Sequence, residues 1–154
     1  MARRRDIADL SAGSLLDRLI DDGRGEAPSF ARLKEGLRRD LQDLFNTRRR
    51  FLTPPPALDE LERSLLTYGL EDFTNEQLDS LTFRQDFADD VERVLRASEP
   101  RIQLHEVLVV ENADPLDRRL RFRILGAVDL GGERQALSFD SYLDPVEGAI
   151  VVGD

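Results

Sequence analysis

The chain has no cysteine and no tryptophan, and its 154 residues include one histidine and one methionine. Without cysteine there is no disulfide, no thiol nucleophile and no cysteine-ligated zinc or iron–sulfur site. With His105 as the sole histidine, a two-histidine metal site is impossible, and any Ser-His-Asp relay has to run through that residue. His105 falls inside an apolar strand pattern, where an ordinary sheet-face histidine is the commoner outcome. No catalytic residue, metal or cofactor is expected. Nor does any apolar run approach the roughly 18 residues of a membrane span. Asp6 and Asp9 interrupt the stretch that a signal peptide would need after Arg3-Arg4-Arg5. The expectation is a cytoplasmic protein without membrane insertion.

What the chain does have is charge, with 22 Lys+Arg against 31 Asp+Glu and a net charge of -9. The two signs are segregated: residues 1–53 carry 12 basic against 9 acidic side chains, and residues 54–154 carry 10 against 22. Such asymmetry favours oriented docking against charged partners and disfavours the whole chain as a nucleic-acid binder. The apolar share of 40% and the length suit one folded domain. That domain is expected over residues 14–154, after a flexible arginine-rich terminus at 1–13.

Periodicity divides the chain at Pro100. Ser14 can cap a short helix carrying Leu15, Leu16, Leu19 and Ile20, and Ser29 a longer one in which Phe30, Leu33, Leu37, Leu41, Leu44 and Phe45 form one apolar face. After it, Asn46-Thr47-Arg48-Arg49-Arg50 places guanidinium groups near a helix C-terminus, where the dipole favours cations. Thr53-Pro54-Pro55-Pro56 is a stiff extended spacer. Leu58, Leu61, Leu65 and Leu66 then predict an amphipathic helix closed by Tyr68-Gly69, with Gly69 in a left-handed cap and Leu70 and Phe73 returning to the core. Between Asp59 and Glu92 lie eleven acids, and along the last helix Asp86, Asp89, Asp90 and Glu92 should point mainly outward from the Phe83, Phe87, Val91, Val94, Leu95 face.

Proline removes a backbone donor and pushes the preceding residue out of the α region, so this helix should end near Ser98. Glu99 then faces the negative end of the helix dipole and needs a cation. Arg101 supplies it locally, or else both charges are presented to another molecule. The following segment changes parity: Ile102 and Leu104 share one face and Val107 and Val109 the other, which means either a bulge near His105-Glu106 or a strand covered on both faces. Further on, Leu120, Phe122 and Ile124 alternate with Arg119, Arg121 and Arg123. Gly131-Gly132 makes a hairpin turn, Leu137, Phe139 and Leu143 return to the core, and Ala149–Val152 forms a short terminal strand. The predicted class is α+β, with N-terminal helices packed on a C-terminal antiparallel sheet of three to four strands. An open sheet edge would offer unpaired backbone groups to another chain.

Four pieces in this order resemble the TssE-type baseplate subunit of type VI secretion systems, part of the lysozyme-like wedge protein family of contractile phage baseplates. They are Ser14-Leu15-Leu16-Asp17-Arg18-Leu19, the block from Leu37-Arg38-Arg39-Asp40 to Asn46-Thr47-Arg48-Arg49, Leu66-Thr67-Tyr68-Gly69-Leu70 and Glu99-Pro100-Arg101. Departures are small, with Gly36-Leu37 where the family more often has Ser-Val, and Phe45 for the usual Leu. The resemblance implies a non-enzymatic part in a membrane-docked baseplate that contacts the wedge proteins TssF and TssG and TssK-type subunits. It also implies that the subunit templates the sheath, whose TssB/TssC-type subunits add strands to its sheet. It assigns protein interaction to Glu99, Pro100, Arg101, Arg38, Arg39, Asp40, Asn46, Arg48 and Arg49. A phage or tail-like particle is one alternative. A lysozyme-like glycoside hydrolase is another, with little support in a chain that has no tryptophan for a sugar platform. A nucleic-acid contact at the Arg119, Arg121, Arg123 stripe is disfavoured because Phe122 falls on the opposite face.

Overall fold

The computed structural model describes residues 29–49, 64–73, 78, 80–114 and 116–153. The arginine-rich terminus, the predicted helix after Ser14, Arg50 and the proline spacer lie outside them. Helix α1 spans Phe30–Phe45 and helix α2 spans Leu81–Ser98. Four strands follow: β1 Gln103–Val110, β2 Leu120–Leu130, β3 Glu133–Asp144 and β4 Ala149–Val152. They form one antiparallel sheet in the order β1-β2-β3-β4, so the class is α+β as the residue pattern predicts.

Ser29 caps α1 by accepting the Arg32 N–H at 3.3 Å. The helix buries Leu33, Leu37, Leu41, Leu44 and Phe45, each worth roughly 1.5–3 kcal/mol when fully removed from water. α2 buries Phe83, Phe87, Val91, Val94 and Leu95. Both helices converge on Phe122 of β2. Phe87 meets its ring at 5.1 Å and 74°, and Phe45 at 6.2 Å and 70°, edge-to-face geometries that add to the area buried.

β1 resolves the parity change by a bulge: the register with β2 shifts between Leu104 and Glu106. His105 absorbs the extra residue, so Leu104, Val107 and Val109 all pack toward the core while His105 is exposed. β2 alternates as expected, with Leu120, Phe122 and Ile124 buried and Arg121 and Arg123 exposed. Gly131 and Gly132 have φ of 64° and 92°, the positive pair that a two-residue hairpin turn matching the strand twist requires.

The β4 edge of the sheet is closed by side chains of α1. Gln42 accepts the Val152 N–H at 2.8 Å and donates to the Ile150 carbonyl at 2.5 Å. Asn46, one turn later, accepts the Ile150 N–H at 2.9 Å and donates to the same carbonyl at 2.8 Å. Arg38 donates to the Val152 carbonyl at 3.4 Å. Two amides spaced i, i+4 thus present donors and acceptors on one helix face, as a neighbouring strand would. Gln42→Ala combined with Asn46→Ala is expected to cost about 1–3 kcal/mol and to expose β4 as a pairing edge. Concentration-dependent self-association in analytical ultracentrifugation would report the exposed edge, and a monomer at all concentrations would rule it out.

Two expectations are corrected. The predicted helix over 58–66 lies mostly outside the described residues, but its end at Ser64–Thr67 is a turn, and Leu65 is 89% exposed rather than buried. Asp90 and Glu92 do not simply face water. Asp90 pairs with Arg93 and Arg49 and accepts the Glu71 N–H at 3.4 Å. Glu92 accepts the Val107 N–H at 3.3 Å and pairs with Arg96 at 3.1 Å.

A corner where the sequence motifs meet

α2 ends at Ser98 and Glu99 caps it, its N–H donating to the Leu95 carbonyl at 2.9 Å. Pro100 ends the helix, but β1 does not begin until Gln103. The intervening residues turn, with the Ile102 N–H donating to the Glu99 carbonyl at 3.2 Å. This turn folds the Arg101 side chain back onto Glu99. The Arg101 Nε donates to Glu99 Oε1 at 2.6 Å, and Nη2 donates both to Glu99 Oε2 and to Asp40 Oδ2 at 2.5 Å. The cation that Glu99 requires comes from its own chain, in a two-pronged arrangement that suits the planar guanidinium.

Glu99 is 7% exposed and is one of two buried polar residues among those described, the other being Ser141. Its hydrogen bonds to Arg101 push the guanidinium pKa still higher, burial opposes this, and Asp40 adds to the rise. Arg101 is therefore a permanent cation that ties the end of α2 to the middle of α1.

The other motif pieces pair with each other beside it. Leu70 donates to the Thr47 carbonyl at 3.1 Å, and Arg49 donates to the Leu70 carbonyl at 2.7 Å, giving an isolated parallel bridge between Arg48 and Leu70. Gly69 lies between these bonds with φ 97°. The left-handed conformation is as expected, but its cause is long-range: a Cβ on Gly69 would stand 2.1 Å from the Thr47 carbonyl oxygen. Burial raises the Tyr68 hydroxyl pKa, and the charges of Asp40, Asp43 and Glu99 raise it further. Residues from three of the four motif pieces, 37–49, 66–70 and 99–101, thus meet in one corner, and the first piece, at 14–19, lies outside the described residues.

The predicted interaction residues occupy different layers of it. Glu99 is buried, and Arg38, Asp40, Arg49 and Arg101 are half-buried. Arg39, Asn46, Arg48 and Pro100 are exposed. Arg48 pairs with Asp72 at 3.0 Å. Arg49 pairs with Glu71 and lies 3.9 Å from Asp90. Asn46 and Arg38 also serve the β4 edge, and Arg38 chelates Glu35. Sequence reading missed Gln42, whose signal was an uncharged amide four residues before Asn46 on a helix face otherwise rich in charge.

The model of the family described as baseplate wedge protein gp25 matches residues 31–132, a range that includes Asp40, Arg48, Gly69, Glu99 and Arg101. The chain belongs to the baseplate wedge protein gp25 family. The type VI subunit TssE is the homologue of this wedge protein, so the resemblance carried by the four motif pieces holds at family level. No curated protein and no solved structure matches the chain. As a member of this family the wedge protein has a structural, phage-like baseplate role, with other baseplate and tail components as its partners.

Other parts of the wedge protein bear on the rival chemistries. Arg119, Arg121 and Arg123 each have a carboxylate, in Asp144 at 3.5 Å, Asp117 at 3.0 Å and Asp140 respectively. The stripe is thus largely neutralised, and Phe122 packs on the opposite, buried side. A backbone hydrogen bond from Val146, joined by one from Glu147, holds the Asp144 carboxyl below its usual range. A cavity of about 50 Å³ lies beside the corner, between Asn46, Arg48, Asp72 and Gly148. It is far smaller than the several hundred Å³ of a typical ligand pocket. Among the described residues no group of three or more His, Asp or Glu side chains is placed to hold a metal, and neither helix is long and apolar enough to cross a membrane.

Proposed function

We propose that this wedge protein is the TssE-type subunit of a type VI secretion baseplate, a non-enzymatic cytoplasmic component of an assembly docked on the membrane. In this reading it joins the wedge to the sheath and templates sheath polymerisation. The observation that carries it is the family match, which runs from α1 through the Gly131-Gly132 turn and contains the whole motif corner. The corner docks on the wedge proteins TssF and TssG and on TssK-type subunits. Glu99 holds Arg101 in place from within, Arg101 in turn holds Asp40, and Arg39, Arg48 and Pro100 present the exposed surface. The sheet accepts strands from TssB/TssC-type sheath subunits, because a free sheet edge supplies backbone affinity without a pocket.

The test is capture of wedge and sheath proteins from the same genome by the purified chain. Charge reversal at the exposed positions, Arg39→Glu with Arg48→Glu, is expected to reduce wedge capture by roughly tenfold or more. The melting temperature should stay within a few degrees, since exposed ion pairs contribute only about 0–1 kcal/mol. Undiminished wedge capture by the variant would place docking elsewhere. Capture of phage or tail-particle wedge proteins in place of TssF and TssG would assign the chain to such a particle.

A further inference from the structure

The sheet has two edges, and they are not equivalent. On β4, the outward N–H and C=O groups of Ile150 and Val152 are all occupied by Gln42, Asn46 and Arg38. On β1, the Val107 N–H points away from β2 to Glu92 Oε1 at 3.3 Å. Alternation along an antiparallel ladder turns the N–H and C=O of Val109 to the same side, and among the described residues none outside the sheet bonds to them. The surroundings of this edge are specific. Leu108 and Val110 are 38% and 39% exposed, with Leu116 at 87% in the turn that follows. Glu106 shares the outer face of Leu108 and Val110, and Glu111 follows the strand. Neither has an ion-pair partner among the described residues, whereas the neighbouring Arg121 and Arg123 are paired with Asp117 and Asp140.

We infer that the C-terminal half of β1, centred on Val109, is the strand acceptor of this protein. Its occupant is an extended segment of another polypeptide with apolar residues opposite Leu108 and Val110 and a Lys or Arg beside Glu111, just past the end of the strand. Glu92 acts as a stop. Its carboxylate occupies the position in which an incoming carbonyl would accept the Val107 N–H, so pairing begins at Val109 and extends past Val107 only if Glu92 is displaced toward Arg96. A second copy of the chain is a poor occupant, because β1 against β1 brings together two rows of Glu92, Glu106 and Glu111 on chains of net charge -9. The identity of the occupant as a sheath segment rests on the function proposed above; the choice of edge does not.

Residue-resolved amide hydrogen exchange on the full chain tests both parts. In the free protein, the Val109 amide is expected to exchange fast while those of Ile150 and Val152 are slow. A protected Val109 amide would overturn the edge assignment. With the sheath subunit from the same genome added, protection is expected to rise at Val109 and to stay unchanged at β4. Glu92→Ala is expected to strengthen sheath capture several-fold, and Val109→Pro, which removes an outward donor but no bond to β2, to weaken it by roughly tenfold. If Val109→Pro does not fold, the exchange data and Glu92→Ala decide. Sheath capture with new protection at β4 would overturn the β1 acceptor and leave the baseplate function standing. Protection at Val109 that grows with chain concentration, without sheath capture, would instead make a second copy the occupant. Capture of neither sheath nor wedge proteins by a folded chain that still exchanges fast at Val109 would overturn the baseplate function and the sheath occupant, while the open edge remains.

Discussion

Arg101→Met is expected to destabilise the fold by about 3 kcal/mol or more in urea unfolding, a loss of roughly 6–12 °C in melting temperature for a domain of this size. The substitution keeps most of the apolar stem but leaves Glu99, 7% exposed, without its two guanidinium bonds at 2.6 and 2.5 Å. An uncompensated buried carboxylate is the costly outcome. A surface pair would lose only about 0.2–1 kcal/mol on the same change, so the magnitude alone separates the two descriptions. Adding Glu99→Gln to Arg101→Met should recover part of the loss, because a neutral amide is cheaper to bury than a charge. Arg101→Lys should fall between, since an ammonium cannot span Glu99 and Asp40 with a planar fork. The result also bears on assembly. Charge changes at Glu99 or Arg101 that abolish wedge capture are uninformative about contact if they unfold the corner, and for that reason Arg39 and Arg48 are the positions to reverse.

The elements were legible because local rules set them. The apolar face of α1, the end of α2 at Ser98, the alternation of β2 and the glycine turn each follow from residues within a few positions of one another. Even the bulge in β1 showed as a change in parity, since Leu104 and Val107 cannot both face inward without an extra residue between them. The corner was legible as motif pieces and not as geometry. Asp40 and Arg101 are 61 residues apart, and the apolar pattern after Pro100 reads as a strand from its first residues. The turn from Glu99 to Ile102 delays it and returns Arg101 to Glu99.

Polar side chains that bond across the fold were the least visible. Gln42 and Asn46 reach β4 across more than a hundred residues, and the only local sign of it is their i, i+4 spacing as uncharged amides on a charged helix face, which does not say what they bond to. Helical periodicity points Glu92 outward, but it gives the direction of a side chain's first bond and not where a long carboxylate ends. Its target, the Val107 N–H, is free only because β1 is an edge strand. Edge position is a property of the whole sheet.

Gly69→Ala is expected to cost about 3 kcal/mol or more, compared with about 1–2 kcal/mol for Gly132→Ala. Both glycines have positive φ, 97° and 92°, so the conformational penalty for an added Cβ is nearly shared. Their surroundings differ. A Cβ at Gly132 meets nothing within 4 Å, whereas one at Gly69 stands 2.1 Å from the Thr47 oxygen and 2.8 Å from its carbonyl carbon. The obstacle is backbone, which cannot rotate aside as a flexible side chain would. To relieve it, the 68–70 segment must withdraw from 47–49, stretching the Leu70-to-Thr47 and Arg49-to-Leu70 bonds at 3.1 and 2.7 Å. That withdrawal also moves Arg48 and Arg49 relative to Asp72 and Glu71. Gly69→Ala should therefore weaken wedge capture in samples that remain folded, and Gly132→Ala, in the β2–β3 turn, should not. Equal destabilisation by the two substitutions, measured by chemical unfolding, would show that the 47–49 and 68–70 segments separate freely and that their bridge does not hold the corner together.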